Sequence, residues 1–242
     1  MSKQVPLWLL TLITFSGTMA MHIFVPALPE AARDIGASIG AMQMTVSVYL
    51  FGLAVGQLVY GPLSDRLGRR PVLMAGLVLY TITSLTAAFA PNVDALIVIR
   101  IFQALGGCAG LVLGRAIIRD TAPPREAARR LALMNLMVTV GPGVAPLIGG
   151  ALASTLGWRS IFFLLFALGM TNIAFTWRLL PETRVQTSNT GLPTLARNYR
   201  RLLGSPAFLG YAFGGGCATT AMYAFIAASP LHLRAPAEPP RL

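Results

Sequence analysis

Arg100 sits in the run A-L-I-V-I-R-I-F-Q-A-L-G-G, with apolar residues on both sides of it. A guanidinium at the middle of a membrane helix costs roughly 2.5–3.5 kcal/mol on insertion scales, so it belongs on a face turned to protein or to water. Gln103 at i+3 and Gly107 at i+7 share that face. Because Arg100 lies six residues past Asp94, snorkelling to an interface is the other placement open to it. His22 stands just ahead of V-P-A-L-P; an imidazole there can take up and release a proton near neutral pH, or simply pack at the interface. A third group is G-P-L-S-D-R-L-G-R-R-P, Gly61 to Pro71. Asp65, Arg66, Arg69 and Arg70 enter hydrocarbon at high cost, so the apolar runs on either side must turn here, with Gly68 as a permissive hinge. A fourth is V-G-P-G-V-A-P-L-I-G-G-A-L, Val140 to Leu152. Small residues such as Gly141, Gly149 and Gly150 allow close helix approach, and Pro142 and Pro146 kink the helix; a smooth, kinked helix suits a gate, and equally suits ordinary packing.

These groups must be positioned by lipid-embedded helices. Of 242 residues, 55% are hydrophobic and 11% charged, and the mean hydropathy is +0.67. A soluble domain carries about a quarter charged residues. The class is therefore an all-α polytopic membrane protein, and the ten-residue alternation of an outer-membrane barrel is absent. Spans are expected at roughly 6–25, 43–62, 72–90, 94–114, 132–153 and 159–180, with a seventh at 206–228. The first run is too long for a signal peptide and reads as the first membrane helix. Domain organisation follows: 1–180 is a six-helix bundle, 181–205 a cytoplasmic linker with a short surface helix near Leu195–Leu203, 206–228 the opening helix of an incomplete second half, and 229–242 a proline-rich, non-membrane tail. Truncation or a frameshift near Pro230 is one reading of that tail.

The net charge of +11 would suggest nucleic acid in a soluble protein. Here the basic residues cluster between apolar runs instead, so no nucleic-acid partner is expected. With the N-terminus in the cytoplasm, fourteen Lys and Arg fall inside and four outside, the bias that orients membrane proteins. Glu30 and Asp34 then lie outside and are weak proton carriers. Cys108 and Cys217 lie in apolar runs and read as small hydrophobes; with His22 and His232 the sole histidines, no metal site or cofactor is expected. No Ser/His/Asp or His/Asp/Glu group gathers at one membrane face, which argues against an enzyme.

The chain also echoes itself. G-P-L-S-D-R-L-G-R-R from Gly61 and G-A-L-A-S-T-L-G-W-R from Gly150 coincide at Gly61/Gly150, Leu63/Leu152, Leu67/Leu156, Gly68/Gly157 and Arg70/Arg159. Both stretches link the second and third helix of a triplet, on opposite membrane faces, as an inverted three-plus-three repeat requires.

The Gly61–Arg70 stretch resembles the signature between the second and third helices of the major facilitator superfamily. The Arg100 run is similar to that family's fourth-helix pattern R-x-x-Q-G-x-G, with Ala104 replacing the first Gly. The Gly141–Gly150 run resembles the fifth-helix pattern of drug/proton antiporters, with Ala145 where Gly is usual. H-I-F-V-P-A-L-P resembles the Bcr/CflA multidrug-resistance branch, where an acid often stands at the position of His22. The resemblance implies a cell inner-membrane protein that exports small drug-like molecules in exchange for protons by alternating access. It makes Gly61, Asp65, Arg66, Gly68, Arg69 and Arg70 a conformational latch. It makes Arg100, Gln103 and His22 proton-coupling residues, and Gly141, Pro142, Pro146, Gly149 and Gly150 a gating helix. It implies twelve helices, so the latch's partners in a second half are missing from this chain. Two other readings stay open: a sugar or organic-acid symporter on the same fold, and a truncated half that does not transport.

Overall fold

A computed structural model describes residues 5–183 and 192–232. The described residues form helices α1 (Leu7–His22), α2 (Leu28–Ile35), α3 (Ile39–Leu67), α4 (Arg69–Ala88), α5 (Val93–Thr121), α6 (Pro124–Leu156), α7 (Arg159–Leu179), α8 (Leu192–Leu203) and α9 (Pro206–His232), with one 3-10 turn at Val25–Ala27. They fall into two compact units, Met1–Thr187 and Ser188–Leu242.

Local chemistry sets the helix limits. Pro26 and Pro29 cannot donate into a continuing ladder, so α1 gives way to the 3-10 turn and then to α2. Gly36 closes α2 in the left-handed region, and the Ser38 side chain caps α3 by accepting from Ala41 N at 3.1 Å. Asn92 caps α5 in the same way, accepting from Ala95 N at 2.8 Å. Pro124 opens α6, where its missing N–H costs nothing.

Six segments are long and apolar enough to cross a membrane: Leu7–Ile35 taken with its bend, then α3 to α7. Each coincides with one of the six expected spans, so the all-α membrane fold holds. The helices outrun the apolar stretches because lipid limits only where charge stops being tolerated, whereas helix length is set by caps and breakers. Thus α5 continues past Arg115 to Thr121, and α6 takes in Arg125, Arg129 and Arg130. The stretch Gly61–Pro71 is accordingly not a loop: α3 runs through Pro62 to Leu67, Gly68 alone breaks the chain, and α4 starts at Arg69. Likewise α6 is one continuous helix through Pro142 and Pro146.

Within the first unit α5 is the axis, packed by α1, α3 and α4; α4 also meets α7, and α1 meets α6. One apolar core joins Leu9, Leu10 and Ile13 of α1 to Leu73 and Leu77 of α4 and to Leu113 and Ile117 of α5. The crossing of α1 and α5 requires glycine at both Gly17 and Gly107: a Cβ on Gly17 would stand 2.6 Å from the Gly107 carbonyl oxygen. In the second unit, α8 is helical over the stretch Leu195–Leu203, where a short helix is expected. α9 covers 206–228 and stays helical to His232; the rest of the expected tail lies outside the described residues.

Candidate functional site

Arg100 is wholly buried, facing the bundle interior and not an interface. Its position follows from the close α1–α5 crossing, which brings α1 carbonyls within reach of side chains on three neighbouring helices. Arg100 Nη1 donates to Ala20 O at 3.1 Å and to Gln103 Oε1 at 2.7 Å. Gln103 Nε2 donates to Ser84 Oγ at 2.8 Å, and Ser84 Oγ donates to Tyr80 O at 2.7 Å. Tyr80 OH donates to Ser16 O at 3.1 Å and Tyr49 OH to Gly17 O at 2.8 Å. Asn172 Nδ2 reaches Ser16 Oγ at 2.6 Å. One polar network thus ties α1, α3, α4, α5 and α7 together inside the apolar core. Such a network is stable in hydrocarbon only because nearly every member has a partner.

The charge itself is compensated without a carboxylate. The guanidinium carbon lies 4.2 Å from the Tyr49 ring centroid and 5.7 Å from that of Phe24, so two aromatic faces supply its negative potential. Among the described residues its ion-pair partners are none, and Nε and Nη2 find no acceptor. His22, half-buried, ends α1 two residues beyond Ala20, whose carbonyl holds Arg100.

The two echoing stretches build two hinges of one design. Gly68 has φ 100° and ψ 150°; Gly157 has φ 81° and ψ 158°. Both lie in the region that favours glycine, so each ends one helix; Gly68 leads straight into α4, and Gly157 leads through the cap residue Trp158 into α7. At the first hinge, Glu182 accepts from Arg69 N at 2.9 Å and Arg70 N at 3.3 Å, placing a carboxylate on the α4 N-terminus. At the second, Glu30 accepts from Trp158 N at 3.3 Å. The side chain after each glycine then reaches the Asp near the end of the other triplet's opening segment. Arg69 Nε donates to Asp120 Oδ2 at 2.9 Å, and Trp158 Nε1 donates to Asp34 Oδ2 at 3.0 Å. Arg159 also pairs with Asp34. The inverted repeat is therefore written into side-chain bonds as well as helix order.

Among the expected latch residues, Asp65 pairs with Arg69 at 2.7 Å and Arg70 Nη2 donates to Trp177 O at 2.8 Å. Arg66 is exposed, and neither an ion pair nor a hydrogen bond of its side chain occurs among the described residues; Gly61 has open space about it. In α6, Gly141, Ala145, Gly149 and Ala153 are all buried at four-residue spacing. A Cβ on Gly141 would meet the Phe15 ring at 3.1 Å, and one on Gly149 would fall on the Ile23 carbonyl, so this stripe seats α6 on α1. Gly150 lies off the stripe, where a Cβ would find only Pro26 at 3.8 Å, and Pro142 and Pro146 are half-buried beside it. Sequence reasoning missed Glu182, Asp120, Tyr49 as the ring beneath Arg100, and the Trp158–Asp34 bond. The acids Asp120 and Glu182 inside arginine-rich segments were the available signal.

The sequence pattern of the Major Facilitator Superfamily matches residues 10–236. The chain is 36% identical over 205 residues to the Multidrug resistance protein D of Escherichia coli (strain K12), covering 84% of this chain and 51% of that protein. It is 33% identical over 230 residues to the Uncharacterized MFS-type transporter YdgK of Bacillus subtilis (strain 168), covering 92% and 56%. It is 39% identical over 171 residues to a Chloramphenicol resistance protein of Pseudomonas aeruginosa, covering 70% and 41%. The chain spans about half the length of the curated relatives it matches. Among solved structures, it superposes on an inward-facing, unoccupied bacterial homologue of the human lysosomal transporter Spinster with a TM-score of 0.72 at 20% identity. That match covers 92% of this chain and 53% of the other, and it shows the fold alone.

Proposed function

The chain belongs to the Major Facilitator Superfamily, and we propose that it forms the N-terminal, proton-coupling half of an exporter of small drug-like molecules. In this reading the exporter lies in the cell inner membrane with its N-terminus in the cytoplasm, and it works by alternating access. A second six-helix half completes the transport path. The observation that carries the reading is Arg100, a fully buried cation held by neutral acceptors and aromatic rings, with two of its nitrogens, Nε and Nη2, finding no acceptor among the described residues. A fixed positive charge of this kind disfavours protonation of groups brought near it, so movement toward or away from Arg100 changes a neighbour's proton affinity. Gln103 orients the guanidinium, and His22, two residues beyond Ala20 on α1, is the candidate proton carrier.

The first hinge supplies the latch: Asp65, Arg69 and Arg70, joined by Asp120 and Glu182, hold the α3–α4 corner in one arrangement. α6 supplies the gate, since its small-residue stripe lets it slide on α1. The relatives named for multidrug and chloramphenicol resistance support a drug-like substrate class. Everted inner-membrane vesicles carrying the chain together with a matching second half test the reading. An imposed gradient, acidic inside, should drive drug uptake into everted vesicles. Uptake driven by the opposite polarity would identify a symporter, and drug movement indifferent to the gradient would refute proton coupling.

A further inference from the structure

The second unit carries a feature that the transport reading does not use. α8 reads L-P-T-L-A-R-N-Y-R-R-L-L. At the helical period, positions 192, 195, 199, 202 and 203 share one arc about 100° wide, and positions 197, 200 and 201 lie on the opposite side. Arg197, Arg200 and Arg201 are exposed, and so are Leu202 at 44% and Leu203 at 63%. The sequence from Thr183 to Ala237 contains neither Asp nor Glu. None of the three arginines forms an ion pair among the described residues. A row of exposed cations, unpaired among the described residues, therefore runs beside the exposed Leu202 and Leu203.

The neighbouring sequence says what meets this surface. Only Gly204 and Ser205 separate α8 from α9, a 27-residue helix without Asp, Glu, Lys or Arg. Phe208, Tyr211 and Phe213 at its start are exposed, as aromatic residues at a membrane boundary are. A short helix with an apolar strip and a basic face, placed at such a boundary, lies in the headgroup plane. We propose that α8 is a membrane-surface helix that binds anionic lipid. Arg197, Arg200 and Arg201 engage phosphate-bearing headgroups, and Leu202 and Leu203 enter the acyl boundary. Guanidinium suits this ligand because its planar donors match phosphate oxygens in pairs. An acidic protein surface would match the arginines but leave the leucine strip without an apolar partner, so lipid is the better-fitting occupant.

The test uses the full chain in nanodiscs, with Leu202→Cys on a Cys217→Ser background carrying a polarity-sensitive bimane label. Discs contain phosphatidylcholine alone or mixed with phosphatidylglycerol. Bimane emission should shift to the blue when phosphatidylglycerol is present. The shift should vanish in high salt and in R197Q/R200Q/R201Q, and persist in R197K/R200K/R201K, which keeps the charge. Emission unchanged between the two lipid compositions would overturn the proposal. So would a blue-shifted emission in both that the glutamine variant leaves untouched, since protein would then cover the strip. Neither outcome depends on whether the chain exports anything.

Discussion

Replacing Arg100 with Met tests whether the buried network exists as described. The substitution removes the donor to Gln103 Oε1, now bonded at 2.7 Å, and strands that acceptor in the core. A stranded buried acceptor costs about 1–3 kcal/mol. Losing the Tyr49 ring contact at 4.2 Å costs about 1–2 kcal/mol more. Against both, removing a guanidinium from hydrocarbon returns roughly 2.5–3.5 kcal/mol. The single variant therefore ends near wild type, and its stability alone decides little. The coupling is the sharper quantity. Gln103→Leu takes a charged donor's acceptor away and costs about 1.5–3 kcal/mol. In R100M/Q103L neither partner remains to be stranded, and Ser84 keeps its own acceptor at Tyr80 O. The double variant should thus be more stable than the sum of the singles by about 1–3 kcal/mol. Unfolding of the chain from mixed micelles with sodium dodecyl sulfate, followed by tryptophan fluorescence, measures all four corners of the cycle. Additivity to within about 0.5 kcal/mol would mean that the two side chains share no bond, and the network would have to be abandoned.

Gly149→Leu should separate α6 from α1 and cut the yield of folded protein several-fold, because its Cβ lands on the Ile23 carbonyl; Gly150→Ala, with only Pro26 in reach, should express normally. Equal yields would remove the small-residue stripe as the α1–α6 seat. Glu182→Gln should weaken the cap on α4 by about 0.5–2 kcal/mol and speed hydrogen exchange at the Arg69 and Arg70 amides. Unchanged exchange would leave Glu182 as a bystander. Single cysteines at positions 66 and 33, both exposed, should react with a membrane-impermeant reagent from the cytoplasmic and external side respectively; the reverse pattern would invert the topology.

Much of the fold was legible because lipid is an unforgiving solvent. A charge in an apolar run had to turn inward, and that placed Arg100 and, by spacing, Gln103. Gly68 and Gly157 were readable as equivalent breaks because both end a Gly-Leu-rich echo with an arginine just beyond. What the sequence left hidden is what other helices bring. Tyr49 and Tyr80 are unremarkable phenols until the Gly17–Gly107 crossing delivers α1 carbonyls to them. Glu182 caps a helix that starts over a hundred residues earlier in the chain, a pairing no local pattern encodes. The charged stretch Gly61–Pro71 departs from a loop for a different reason. Asp65 and Arg66 forbid hydrocarbon, but they do not forbid helix, and α3 simply continues through them until Gly68 stops it.

Proton release on substrate addition measures the central claim most directly. In proteoliposomes holding the chain with its second half and a pH dye, adding drug to the wild type should move protons against the drug, and Arg100→Met should abolish that movement while drug binding persists. Proton movement that survives the loss of Arg100 would contradict the account.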